Sequence, residues 1–176
     1  MSQLLMRRSR LDDLPPIPPL PPGFTLRTFQ PGDLEPLAAL LQRAFEDSSW
    51  TPEKVQQALV DAPDVMKTYV IEHEGRPVAT ASARLVADRF PSSGYLHWVA
   101  VDPQYQGRRL GVIVSLAVLH EFRRMGCQDA VLETDDHRLA AIKIYQEMGF
   151  EPVHLDESHI LRWAQIASDL LAAANL

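Results

Sequence analysis

Residues 95–133 constrain the fold of this chain more than any other stretch. Residues 95–101 form an apolar run with little polar alternation, the pattern of a strand buried on both faces. Asp102 and Pro103 end that run, and a loop carrying Gly107, Arg108 and Arg109 leads directly into an apolar helical stretch. The stretch stops at Gly126, where a glycine can close a helix in the left-handed conformation. Residues 130–133 then form a second short strand. Two strands joined through a helix pair in parallel by a right-handed crossover. Residues 66–73 and 77–87, linked by Glu74, Gly75 and Arg76, read instead as an antiparallel hairpin. A mixed sheet flanked by helices, an α/β architecture, accommodates both.

The remaining segments fit around that sheet. Residues 24–29 alternate as a strand, and Pro31 and Gly32 turn the chain. Asp33 is placed to cap a helix with apolar positions at Leu34, Leu37, Leu40, Leu41 and Phe45. Thr51, Pro52 and Glu53 open a second helix, and Asp135 or Asp136 can cap a third that ends at Gly149. In the tail, Ile160, Trp163 and Leu170 favour a helix over a strand. Residues 1–22 stand apart, with six prolines from Pro15 to Pro22 that exclude a helix interior or a central strand. They read as an extended surface arm or a disordered one, leaving residues 23–176 as the single domain.

At 176 residues, 46% hydrophobic and 23% charged, the composition is that of one soluble globular domain. A net charge of -6 argues against nucleic-acid binding, which calls for a basic face. Cys127 is the only cysteine, so an internal disulfide is excluded, and no histidine or acid spacing suits a metal. His120, His137, His154 and His159 read as surface or capping residues. Arg7 and Arg8 precede acids and prolines instead of an apolar segment, and no run is long enough to span a bilayer. The cytoplasm is the default compartment.

Unpaired N–H groups and a partial positive charge make the start of a helix an anion site, and arginine strengthens it. On glycine and arginine content alone, relief of crowding at a strand–helix turn explains residues 106–112 about equally well. Neither the dinucleotide fingerprint nor the nucleoside-triphosphate loop is present. The segment does resemble the central motif of the GNAT superfamily of N-acyltransferases, Gln/Arg-x-x-Gly-x-Gly/Ala after a Val-x-Pro strand end. Gln106 and Gly111 match, whereas Arg109 stands where the family usually has glycine. Residues 138–150 are similar to the family's Asn-x-x-Ala-x-x-x-Tyr-x-x-x-Gly-Phe block, with Arg138 in place of asparagine. The two motifs occur in order and properly spaced, and the resemblance covers about residues 24–155.

That resemblance implies a mostly antiparallel mixed sheet whose central parallel pair, residues 95–101 and 130–133, splays apart. Acetyl-CoA would be the acyl-donor substrate, with no metal. Its pantetheine arm would pair with backbone at Val99, Ala100 and Val101, with Arg138 also beside the coenzyme. Its diphosphate would lie on N–H groups of Gln106, Gly107, Arg108, Arg109, Leu110, Gly111 and Val112. The reaction implied is acetyl transfer to a primary amine of a small molecule, by direct attack in a ternary complex. Two alternatives share the core: acetylation of protein N-termini or lysines, and acyl-CoA binding without turnover. Pairing of two chains through the tail is compatible with the sequence.

Tyr145 occupies the position that in the resembled family usually serves the departing sulfur, although Ala141, Ile142, Tyr145 and Met148 also make an apolar helical stripe. A phenol near pKa 10 protonating a thiolate near 8.5 goes uphill by about 2 kcal/mol, so a hydrogen-bond role suits it better. His97 shares strand parity with Tyr95, Val99 and Val101, and it resembles the histidine on the same strand of arylalkylamine acetyltransferases. It is the candidate base, set against the ordinary reading of a hydrogen-bonded core histidine. Deprotonating an alkylammonium with imidazole costs about 5 kcal/mol, which limits that role. Glu133 is the second candidate.

Overall fold

The computed structural model describes residues 3–174, so the first two residues of the arm and the last two of the tail lie outside the described residues. One sheet holds β1 (Leu4–Arg8), β2 (Phe24–Thr28), β3 (Val65–His73), β4 (Arg76–Arg84), β5 (Ser93–Val101), β6 (Asp129–Thr134) and β7 (Glu151–Val153). Their order is β2-β3-β4-β5-β6-β1-β7, antiparallel throughout except for the β5–β6 pair. The helices are α1 (Leu34–Phe45), α2 (Pro52–Val55), α3 (Leu110–Arg124), α4 (Leu139–Glu147) and α5 (Glu157–Ala174). The expected mixed sheet, mostly antiparallel with one parallel pair, is therefore present.

Side-chain alternation sorts the core into layers. Ala79, Ala81, Ala83 and Leu96 pack with the apolar residues of α3, and Ile142, Trp163 and Ile166 of α4 and α5 join that cluster. Leu37, Leu40 and Leu41 of α1 meet Trp50, Val55 and Ala100 in a separate one. Among the described residues no helix is long and apolar enough to cross a membrane.

The arm departs from expectation. Its residues 4–8 are β1, inserted between β6 and β7 with Leu4, Leu5 and Met6 buried. The prolines begin only after this apolar run. They carry the chain back across the sheet towards β2, with Leu14 buried and Leu20 partly so. Proline offers no N–H to a ladder, so this return runs outside the sheet. The His120 Nε2 of α3 lies 2.9 Å from the Pro15 carbonyl along it.

Two irregularities shape the middle of the sheet. Parallel pairing is confined to Ser93↔Asp129, Gly94↔Ala130 and Tyr95↔Val131. Beyond Tyr95, β5 remains paired with β4 and β6 with β1, so the central strands part as expected. The second is a bulge, because Ser82 faces His97 while Thr80 faces Ala100, leaving Trp98 and Val99 opposite Ala81. Trp98 takes φ +48° there. One extra residue reverses the alternation, so His97 does not share a face with Val99 and Val101. It shares one with Tyr95 and Ala100, and the strand-parity expectation is corrected accordingly.

Helix α4 starts later than Asp135 or Asp136. The Arg138 N–H donates to the Asp135 carbonyl, and the Asp136 carboxylate is engaged by Arg162 of α5. His159, read from sequence as a surface or capping residue, is buried at the start of α5.

Candidate functional site

Where β5 and β6 part, a cleft of about 480 Å³ opens between the backbone of Val99–Val101 and the start of α4. Gln106, Gly107, Arg109, Leu110 and Gly111 form one end of it, and Phe45, Leu139 and Tyr145 form the side walls. Asp102, buried at the strand end, builds the turn below. Its Oδ1 accepts from the Gln104 N–H at 3.0 Å, and its Oδ2 accepts from Arg43 Nε and Nη2 at 2.9 and 2.7 Å. Helix α1 is thereby tied to the end of β5.

The first main-chain bond of α3 runs from the Ile113 N–H to the Arg109 carbonyl at 3.1 Å. The amides of Gly107, Arg109, Leu110, Gly111 and Val112 make no main-chain bond to an acceptor outside α3 among the described residues, whereas a turn over Gln106 and Gly107 closes on Arg108. These donors stand at the positive end of a 15-residue helix, where an anion is favoured. The side chains divide. Arg108 reaches over the rings of Tyr105 and Phe24, at 5.6 and 5.8 Å, and Val112 is buried in the α3 core, so neither side chain lines the cleft.

Arg109 adopts φ +60°, ψ 17°, the left-handed region in which an L side chain is disfavoured by about 1–2 kcal/mol. Glycine would relieve that strain at the expense of about 0.5–1 kcal/mol of unfolded-state entropy. Arg109→Gly should therefore leave thermal stability unchanged or raised by up to about 1.5 kcal/mol. Donor affinity should hold or weaken, because the amide stays and a positive charge is lost. Calorimetry showing tighter coenzyme binding would mean that the guanidinium obstructs the cleft.

A smaller cavity of about 120 Å³ adjoins the first, and His97, Glu133 and Tyr145 all line it. The three candidate catalytic residues are thus brought together. The Tyr145 hydroxyl has no hydrogen-bond partner among the described residues, and burial pushes its phenol up to about 12. Glu133 is held firmly, accepting from the Tyr95 hydroxyl at 2.8 Å and from Arg89 Nη2 at 2.7 Å. Burial alone would raise its carboxyl, but the bonds from Arg89 and Tyr95 outweigh it and leave the group below the usual range. Burial, with the Arg84 charge adding, pushes His97 down to about 4, and its Nδ1 is buried without a partner.

Nothing local in the sequence signals Arg89, Gln3 or the role of Tyr95 here. Gln3 lines the small cavity only because β1 enters the sheet, and its Nε2 donates to Asp135 Oδ1 at 3.3 Å. No group of His, Cys, Asp or Glu among the described residues could hold a metal.

The His97 environment has a consequence for folding. Between about pH 6.5 and 4 the unfolded chain binds a proton on this imidazole that the folded chain does not, so stability falls as pH drops through that window. The loss is about 3 kcal/mol at most. Glu133, held below its usual range, adds acid sensitivity only beneath about pH 4.5. Chemical denaturation of His97→Gln should show a flattened profile between pH 6.5 and 4, and an unchanged slope would remove His97 as the cause.

Residues 34–150 match the model of the Acetyltransferase (GNAT) family. The chain is similar to the mycothiol acetyltransferase of Saccharomonospora viridis, 35% identical over 168 residues, covering 87% of this chain and 54% of that one. It is similar also to the mycothiol acetyltransferase of Thermobispora bispora, 34% identical over 154 residues, covering 82% and 52%. The chain spans about half the length of the curated relatives it matches. Among solved structures, a GCN5-related N-acetyltransferase from Sphaerobacter thermophilus superposes with a TM-score of 0.67 at 24% identity, covering 88% of this chain and 50% of that one. That likeness is one of fold.

Proposed function

The chain belongs to the GNAT acetyltransferase family, and from that premise we propose that it moves an acetyl group from acetyl-CoA to the primary amine of a small molecule, by direct attack in a ternary complex. One observation carries this reading. The β5 edge loses its parallel partner after Tyr95, beside the unbonded amides of Gly107 and Arg109–Val112. The free edge at Val99–Val101 suits the amides of a pantetheine arm, and the amide row suits a diphosphate. Gln106 and Arg138 lie along the same cleft.

The amine nitrogen bonds to the thioester carbonyl carbon, the carbon–sulfur bond breaks with its electron pair on sulfur, and the nitrogen gives up a proton to water. Tyr145 donates a hydrogen bond to that sulfur. Full proton transfer from a phenol near 12 to a thiolate near 8.5 would be uphill by about 5 kcal/mol, so the sulfur takes its proton from water afterwards. By the same measure, His97 near 4 would deprotonate an alkylammonium at a cost of about 9 kcal/mol. The acceptor therefore arrives neutral. His97 accepts a hydrogen bond from it, and Glu133, fixed by Arg89 and Tyr95, orients it.

The relatives' name makes mycothiol-related amines the first acceptors to assay. Calorimetry with CoA, followed by thiol release from acetyl-CoA across an amine panel, tests the proposal. Purified protein without affinity for CoA or its thioesters would end it.

A further inference from the structure

We propose that Arg138 and Phe45 form a neck between the two cavities that restricts the transferred group to a short acyl chain. The inference rests on the acetyl-CoA reading above and assigns its chain-length selectivity to this pair. Phe45, Val99, Arg138 and Tyr145 are the residues that line both cavities, so the boundary runs between them. Phe45 ends α1 and Arg138 precedes α4, on opposite sides of the passage. The guanidinium carbon of Arg138 lies 4.9 Å from the Phe45 ring centroid, so the two side chains meet across it.

The Phe45 wall cannot retreat easily. Phe45 is backed by Trp98 at 5.8 Å and Trp50 at 6.2 Å, and those two indoles meet edge to face at 4.5 Å. Trp50 is fully buried, and Trp98 is fixed by the bulge in β5. Opposite Phe45, the Arg138 Nε is buried 3.2 Å from Asp135 Oδ2 without a hydrogen bond, so this wall is held by an ion pair within one turn.

With Tyr145 at the sulfur, a two-carbon acyl group ends at this neck. Each further methylene must displace the Arg138–Phe45 contact or enter the far cavity. That space is about 120 Å³, room for about four waters, and the acceptor amine needs it too. Chain extension and acceptor binding therefore compete for one small volume.

The test compares wild type with Arg138→Ala and Arg138→Met, using calorimetry with CoA, acetyl-CoA and hexanoyl-CoA. Wild type should bind hexanoyl-CoA at least roughly tenfold more weakly than acetyl-CoA, the scale of discrimination a closed pocket gives to added methylenes. Arg138→Ala should bring the two within about threefold, whereas Arg138→Met, which refills the passage without charge, should keep the discrimination. Phe45→Leu, trimming the opposite wall, should relax it as well and serves if the Ala variant does not fold. CoA, which has no acyl chain, reports separately on the donor site, and its failure to bind wild type would sink the functional reading itself. The neck alone is overturned if CoA binds but wild type takes hexanoyl-CoA as well as acetyl-CoA, or if the Ala variant keeps the wild-type ratio. A Met variant as permissive as Ala overturns it too, since bulk would then not be the barrier.

Discussion

Tyr145→Phe is expected to lower kcat by roughly 10²-fold while leaving the Kd for CoA within about twofold of wild type. The ring fills the stripe between α4 and the core in either residue, so the packing of Ile142 and Phe150 is retained. The hydroxyl has no partner among the described residues, so its removal strands no buried donor or acceptor. Stability should be little changed, since Tyr145 lines both cavities and its hydroxyl is not one of the buried atoms left without a partner. What is lost is the hydrogen bond to the departing sulfur. Because the phenol sits near 12, it stays protonated through any ordinary assay range, and the ratio of wild-type to variant rate should be flat from about pH 6 to 9. A variant turning over within threefold of wild type would reduce Tyr145 to an apolar filler. A variant that also lost CoA would place the hydroxyl in donor binding instead.

How far the sequence anticipates this site depends on whether a feature is local. The β5–α3–β6 crossover was legible because a run of apolar residues, a glycine-containing loop and a helical period follow one another without interruption. Tyr145 was legible from its spacing to Gly149 and Phe150. Arg109 stood out as a departure from glycine, and its left-handed backbone gives the physical reason glycine is usual there. β1 was not legible as a sheet member. Five residues beside a proline tract carry no local sign that β6 and β7 lack neighbours, and those strands lie at the far end of the chain. The bulge at Trp98 was hidden as well, since an inserted residue leaves an apolar strand looking apolar while turning every later side chain over. Asp135 and Asp136 read as caps because a cap is a local pattern. Asp135 instead pairs with Arg138 and accepts from the distant Gln3, and Asp136 is taken by Arg162 of α5. The Arg138–Phe45 contact is of the same kind.

The hinge of the cleft supplies the larger structural effect. Gly94 is the middle residue of the three-pair parallel stretch, and a Cβ there would lie 2.2–2.4 Å from ring carbons of Phe122. That ring cannot move aside, being fully buried beneath α3. The main chain around it is also pinned, with the Cys127 N–H donating to the Phe122 carbonyl and the Gln128 N–H donating to the Ser92 carbonyl, each at 3.0 Å. Gly94→Ala is therefore expected to destabilise the protein by about 3 kcal/mol, the upper end for an overpacked core. For a domain of this size that is a fall of roughly 6–12 °C in Tm. Because these pairs set where β5 and β6 part, the surviving folded fraction should also bind CoA more weakly. A double-mutant cycle separates this from a general loss of glycine flexibility. Phe122→Leu on its own should destabilise by opening space under α3. In the Gly94→Ala background the same change should be nearly neutral or stabilising, with a coupling above about 1 kcal/mol. Additive losses would show that the methyl group is accommodated by movement of the strand. The parallel hinge would then be softer than its close approach to α3 implies.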